Sequence, residues 1–369
     1  MNFKRIYMAS KKSYKWAFLF MFVWVGMSKA GSDNQTGTAG ALELLLPPDA
    51  VGGALAGQCV AYIKGVEAIH WNPAGIARSN NRMDAVMTQL NYLADIRLNY
   101  VAIQGAWNEI GSFAFSLKRF DFGEIPVTTE YAPDGTGETF SPGFNVACWT
   151  FGKSLLDRLQ VGATVKYLSE SISNVKASGV ALDAGIQYAI HPALRVGVAV
   201  RNWGPKMRYE GSGLERKVSL PGSADESVSA KEYLRMVAAE FELPTVMDVG
   251  LSWHMIDGEN HDFTINGTFQ NQHLGMDQYG VSLVWEKQWS RASVLIRSGL
   301  QGALSEDGNF YFHDEHNLFG PSFGLGFEYP FVSGSAFAFD YAYAWTEYFD
   351  NIEWFSVSFH FPSIRTHKN

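Results

Sequence analysis

The sequence predicts an all-β protein: a transmembrane antiparallel β-barrel of about 14 strands with a small helical N-terminal plug, or hatch. Three observations predict it. Bulky apolar residues alternate with small or polar ones over segment after segment, the period of a strand with two unlike faces. No stretch after residue 30 approaches ~18 consecutive apolar residues, which excludes helical membrane spans there. The composition joins 36 glycines to 14% aromatic residues at a mean hydropathy of −0.08, a mixture foreign to disordered chains, coiled coils and helical bundles.

Residues 1–30 read as a cleavable secretory signal peptide. Lys4, Arg5, Lys11, Lys12 and Lys15 precede an apolar run from Trp16 to Met27, and Ser28-Lys29-Ala30 places small residues at the cut. That run is short of the ~20 residues a spanning helix needs. Cleavage would take six of the 29 Lys and Arg and no acid, leaving 23 against 37, a net charge of −14 in place of −8. An acidic surface disfavours nucleic acid as a partner, because phosphate binding needs cations. Cys59 and Cys148 allow at most one disulfide and have no metal or redox spacing.

Residues 37–81 do not alternate, and 31–81 are expected to form the hatch inside the barrel. From Ala50 to Ile63, Val51, Leu55, Cys59 and Tyr62 recur at helical spacing. A second turn is expected after Asn72, whose side chain can cap a helix that Pro73 begins without losing a needed donor. Ala74 and Gly75 are small enough for close packing. Asn72, Pro73, Ala74 and Gly75 are therefore the candidate hatch-positioning and ligand-gating residues.

The barrel is expected over residues 82–361, at about twenty residues per strand with its connection, enough for tilted membrane strands of ~9–11 residues. Its clearest strand carries Phe337, Phe339, Tyr341, Tyr343 and Trp345 against Ala336, Ala338, Asp340, Ala342 and Ala344. Phe113, Phe115 and Leu117 oppose Ala114, Ser116 and Lys118, and Tyr279, Val281, Leu283 and Trp285 oppose Gly280, Ser282 and Glu286. Trp107, Trp149, Tyr167, Trp203 and Trp345 are placed as interfacial girdles at strand ends. Asp340, Lys118, Lys166, Arg195, Arg201 and Glu328 fall on the lumen face, where charge pairs would brace the interior. The longest connection, Gly204 to Pro244, is read as an extracellular loop with a short helix in Ala230–Glu242. Residues 362–369 form a C-terminal tail.

No catalytic constellation is found, so the chain is not read as an enzyme and no cofactor or metal is expected. Gly52-Gly53-Ala54-Leu55-Ala56-Gly57 fails the dinucleotide pattern, and His313-Asp314-Glu315-His316 lacks the zinc-protease spacing.

The run Gly37-Thr38-Ala39-Gly40-Ala41, with Ile69-His70-Trp71-Asn72-Pro73-Ala74-Gly75 after it, resembles the N-terminal signature of the PorV/PorQ-like outer-membrane proteins, relatives of the FadL-type long-chain fatty-acid transporters. Phe339-Asp340-Tyr341-Ala342-Tyr343 and Phe355-Ser356-Val357-Ser358-Phe359-His360-Phe361 resemble that family's last two strands. The resemblance implies a fourteen-stranded barrel with an N-terminal hatch, exported to the outer membrane of a Gram-negative-type (diderm) bacterium. It also implies passive transport of hydrophobic small molecules or lipids, long-chain fatty acids among them, in contact with outer-membrane lipids. The alternative it leaves open is a shuttle of a type IX protein secretion system, with secreted cargo proteins as partners.

Overall fold

The computed structural model describes residues 39–107, 110–218, 232–258, 260–289, 292–304, 310–311, 319–331, 334–346 and 351–362. The expected signal peptide, the tail after Pro362 and the His313–His316 run lie outside them.

Fourteen antiparallel strands close into a barrel: β1 (Asn81–Asn91), β2 (Arg97–Trp107), β3 (Gly111–Asp121), β4 (Gly143–Leu156), β5 (Leu159–Ile172), β6 (Val175–His191), β7 (Leu194–Trp203), β8 (Val246–Asp257), β9 (His261–Gln272), β10 (Asp277–Gln288), β11 (Ser293–Leu304), β12 (Phe319–Pro330), β13 (Ala336–Thr346) and β14 (Ile352–Pro362). Each strand pairs with its sequence neighbours, and β1 pairs with β14 to complete the ring. Closure leaves no unpaired sheet edge, as a bilayer demands. Connections after even-numbered strands are short, two to five residues, and the long ones follow β3, β7 and β11; the two rims are thus a turn end and a loop end.

Burial follows the alternation with the bulky face outward. Phe113, Phe115 and Leu117 of β3 are exposed while Ser112, Ser116 and Lys118 are buried. The same holds round the ring, with Phe323, Leu325 and Phe327 outside β12 and Thr164, Lys166, Asp183 and Ser282 inside. A soluble sandwich would bury those apolar side chains; here they form the belt of a membrane barrel. The girdle reading needs one correction. Trp107, Trp203 and Trp345 do lie at or next to strand ends, but Trp149 and Tyr167 sit near the middle of β4 and β5. Strand ends are not fixed by aromatic residues where the sheet continues past them.

The plug runs through the whole lumen. Ala39 bridges Glu242 at the loop end, and the chain descends through a 3-10 turn at Leu42–Leu44, α1 (Ala50–Ala54), irregular turns to Ile63, α2 (Ala68–Trp71) and a 3-10 helix at Pro73–Arg78 to reach β1 at the turn end. The helical spacing of Ala50–Ile63 predicts more helix than forms. Gly52 and Gly53 weaken it, and Ala56 (φ 48) and Gly57 (φ 76) turn the chain left-handed and end it. The helix expected in Ala230–Glu242 is also corrected: Glu232–Arg235 is extended and pairs with Glu215–Val218, and the described residues after it are not helical. Cross-strand hydrogen bonds outweigh a mild propensity in so short a segment.

Candidate functional site

All four candidate hatch residues are buried at the turn-end half of the plug. Asn72 caps the Pro73–Arg78 helix as expected, its Oδ1 accepting from Ala74 N at 3.1 Å. It also does more. Its Nδ2 donates to Val60 O within the plug at 2.9 Å and to Ile186 O and Val198 O of the wall at 3.1 and 3.4 Å. One side chain thus ties the hatch helix, the preceding turns and two strands together. Gly75 packs where a Cβ would lie 2.6 Å from both Ala68 Cβ and Ile63 O.

The wall receives the plug on glycines. Gly152, Gly162 and Gly185 stand opposite one another on β4, β5 and β6. A Cβ on Gly162 would lie 2.3 Å from Pro73 C, and one on Gly185 would lie 2.1 Å from Asn72 Oδ1. Farther round, Gly197 of β7 meets the backbone at Val60 and Ala61, and Gly299 of β11 meets it at Leu55. At Gly162, Gly197 and Gly299 backbone lies directly on backbone. Gln187 Nε2 donates to Val60 O and Ile63 O, both at 3.0 Å, and Gln104 Nε2 donates to Ile76 O at 3.0 Å. Each such bond contributes about 1 kcal/mol.

Towards the loop end the plug stands off from the wall and two cavities open. The outer one, about 450 Å³, is walled by Tyr92, Ile96, Phe120, Phe122, Phe144, Tyr209 and Phe241, with Ala39–Glu43 and Leu46 of the plug beneath. The inner one, about 220 Å³, is walled by Gln270, Gln272, Gln278, Gln301, Thr268, Ser322 and Arg201, with Trp354 and Ile352 on one side and Gln58 and Trp71 on the plug. Leu46 and Tyr92 line both, so the two cavities adjoin at these side chains. Lys118 Nζ holds this strap of plug by donating to Glu43 O at 3.1 Å and Leu46 O at 2.9 Å. Trp354 Nε1 holds its far side by donating to Pro47 O at 2.9 Å.

Below the strap, Asp49 fixes the inner floor. Its Oδ1 caps α1 at Gly52 N (2.7 Å) and its Oδ2 accepts from Trp71 Nε1 (2.9 Å), while burial pushes its carboxyl up to about 6. The lumen charges are paired across strands: Lys166 with Asp183 and Arg201 with Asp248 at 2.7 Å each, and Arg297 with Asp340 at 2.5 Å. These pairs fix register and bracing more than they add stability. Lys118, Lys166, Arg201 and Asp340 are inward and buried as expected, and Arg195 is half-buried, donating to Gln160 Oε1. Cys59 and Cys148 are both free and buried. Among the described residues no cluster of His, Cys, Asp or Glu could hold a metal ion.

None of Asn72, Pro73, Ala74 and Gly75 lines either cavity. The cavity residues that sequence reasoning missed are the glutamines and the loop-end aromatics. A signal existed for the glutamines: Gln270 and Gln272 keep the inward phase of β9, and Gln278 and Gln301 keep that of β10 and β11.

Comparison with the models of known protein families gives no match, and comparison with curated proteins gives none either. Solved structures do match. The CymD monoaromatic hydrocarbon channel superposes with a TM-score of 0.53 at 13% identity, over 90% of this chain and 100% of that one. The Pseudomonas putida toluene transporter TodX gives 0.51 at 12% identity, over 84% of this chain and 96% of that one. At such identities the likeness is one of fold: a closed fourteen-stranded barrel with short helical segments at its N-terminal side.

Proposed function

We propose that the chain is an outer-membrane channel of a diderm bacterium through which hydrophobic small molecules pass without energy input. The observation that carries this reading is the pair of adjoining cavities, aromatic at the mouth and deeper at the plug, that end on a hatch held by Asn72. An apolar solute would leave the loop end, shed water among the aromatic rings, pass Leu46 and Tyr92, and wait above the hatch until the plug shifts. The hydrocarbon channels of the same fold support it. In a diderm strain unable to take up a labelled neutral hydrocarbon, the chain is expected to raise uptake several-fold over vector. The Asn72→Ala, Pro73→Ala double variant, checked as folded by heat-shifted mobility on gels, should alter that rate by at least about twofold. An unchanged rate removes the gating role of these residues; no gain with the wild type removes the channel reading.

A second reading is the secretion shuttle suggested by the PorV/PorQ-like ends of the sequence. In its favour, Leu234, Met236 and Val237 are exposed on the long β7–β8 loop, 54%, 53% and 76% accessible, where a secreted cargo protein could dock. Cargo copurifying with the wild type, and lost on replacing these three by Ser, would support it.

A further inference from the structure

The fixed charges along the two cavities identify the substrate class more closely, given the channel reading above. Among the described residues, two carboxyl groups line the outer cavity, Glu43 of the plug and Glu170 of β5, and no Lys or Arg does. Both are more than nine-tenths buried. The Tyr209 hydroxyl donates to Glu170 Oε2, while Glu43 Oε1 and Glu170 Oε1 receive no donor from the protein beyond each other's carboxyl. Lys118 donates to the backbone carbonyls of Glu43 and Leu46 and lies outside the lining.

Among the described residues the inner cavity has one cation in its wall, Arg201, whose charge is paired with Asp248 while its Nη1 is buried without a hydrogen-bond partner. Its Nε sits 2.7 Å from Asp248 Oδ2, and its guanidinium lies over the Trp71 ring at 5.5 Å. The remaining polar wall is amide and hydroxyl, from five glutamines with Thr268, Ser322 and Tyr92. Gln58 Nε2 reaches Gln301, Gln301 reaches Gln278, and Gln272 donates to Gln270, which donates in turn to Asp248. Amides present donors and acceptors to a solute without a net charge.

A solute carboxylate entering here would therefore lose its water, meet at the mouth a carboxyl pair that shares a proton and presents it with acceptors, and deeper in find Arg201 already paired with Asp248. A hydroxyl or amide would find acceptors at the mouth and both kinds of partner in the inner cavity. We propose that the route selects uncharged amphiphiles, apolar molecules with a hydroxyl or amide group, and that Glu43 and Glu170 exclude free carboxylates of the same size.

The test uses the full barrel in lipid nanodiscs and two probes of matched bulk, 4-butylphenol and 4-butylbenzoate, titrated at neutral pH with empty discs as the blank. Wild-type protein is expected to bind the phenol at least about tenfold more tightly than the benzoate. In E43Q/E170Q the gap should shrink below about threefold, through tighter benzoate binding. Equal binding of the two probes by the wild type, or an unchanged ratio in the variant, overturns the exclusion while leaving a channel for hydrophobic solutes standing. Binding of neither probe overturns the channel reading together with it. The wild-type ratio needs no substitution, so a variant that fails to fold leaves the test in place.

Discussion

The two halves of the lumen share one wall and one plug yet are built in opposite ways. At the turn end, glycines of the wall admit the plug's backbone, Gln104 and Gln187 of the wall donate to its carbonyls, and its own Asn72 donates to the wall carbonyl of Ile186. At the loop end the wall presents glutamines and aromatic rings, and the plug draws back to leave two cavities. The change takes two residues along a strand. On β10, Gly280 touches the plug and Gln278 lines the inner cavity; on β11, Gly299 and Gln301 do the same. A side chain at an inward position thus decides between seal and space, and the strand's period of two sets the step.

The largest break in this contrast is expected from Gly162→Leu. Its side chain would start 2.3 Å from Pro73 C, against backbone that cannot yield as a flexible side chain would. Overpacking of this kind costs about 1–3 kcal/mol or more. The plug should be displaced while the ring persists, seen as a lower heat-modification midpoint on gels together with increased conductance in planar bilayers. A normal midpoint and conductance would show that the glycine contacts do not make the seal.

A smaller effect is expected from Lys118→Met, which keeps the buried stem and removes the two donors to the strap. The floor should be untouched and conductance low, while proteolysis near Leu46 quickens and hydrocarbon uptake changes by roughly twofold. Equal changes at floor and mouth would mean that the two halves are not separable.

The smallest effect concerns pH. Burial, and then the neighbouring Glu170, hold the Glu43 carboxyl up to about 8 from its ordinary 4.5, with Lys118 acting in the opposite sense. A carboxyl raised on folding binds its proton more tightly in the folded state. Its contribution is therefore complete below pH 4.5 and is lost as pH rises through about 8. Protection of the strap from protease should fall over that window in the wild type and stay flatter in E43Q. Identical profiles would remove Glu43 from the mouth's stability.

The barrel was legible because its alternation is strict and its faces differ sharply: Phe337 to Trp345 against Ala336 to Ala344 can be read in only one way. The Asn72-Pro73 cap was legible for a local reason, since both residue types act within a few positions of themselves. What stayed hidden depends on pairing across distance. Gly162 and Gly185 look like any small residues on a polar face until register sets them opposite each other under Pro73 and Asn72. The inner cavity joins Gln58 to Gln301, which no local pattern connects. Turns and the loop hairpin failed for the converse reason: helical spacing from Val51 to Tyr62 is real, but two residues with positive φ interrupt it.

The plug's course also limits how the pore can open. Ala39 is pinned at the mouth, where Gly40 N donates to Glu242 O at 3.1 Å, and at the other rim the plug continues covalently into β1. A segment moored at both ends cannot swing like a door on one hinge or drop out like a cork. It behaves as a slack rope through a ring, able to admit a solute by bowing aside in the middle while both moorings hold.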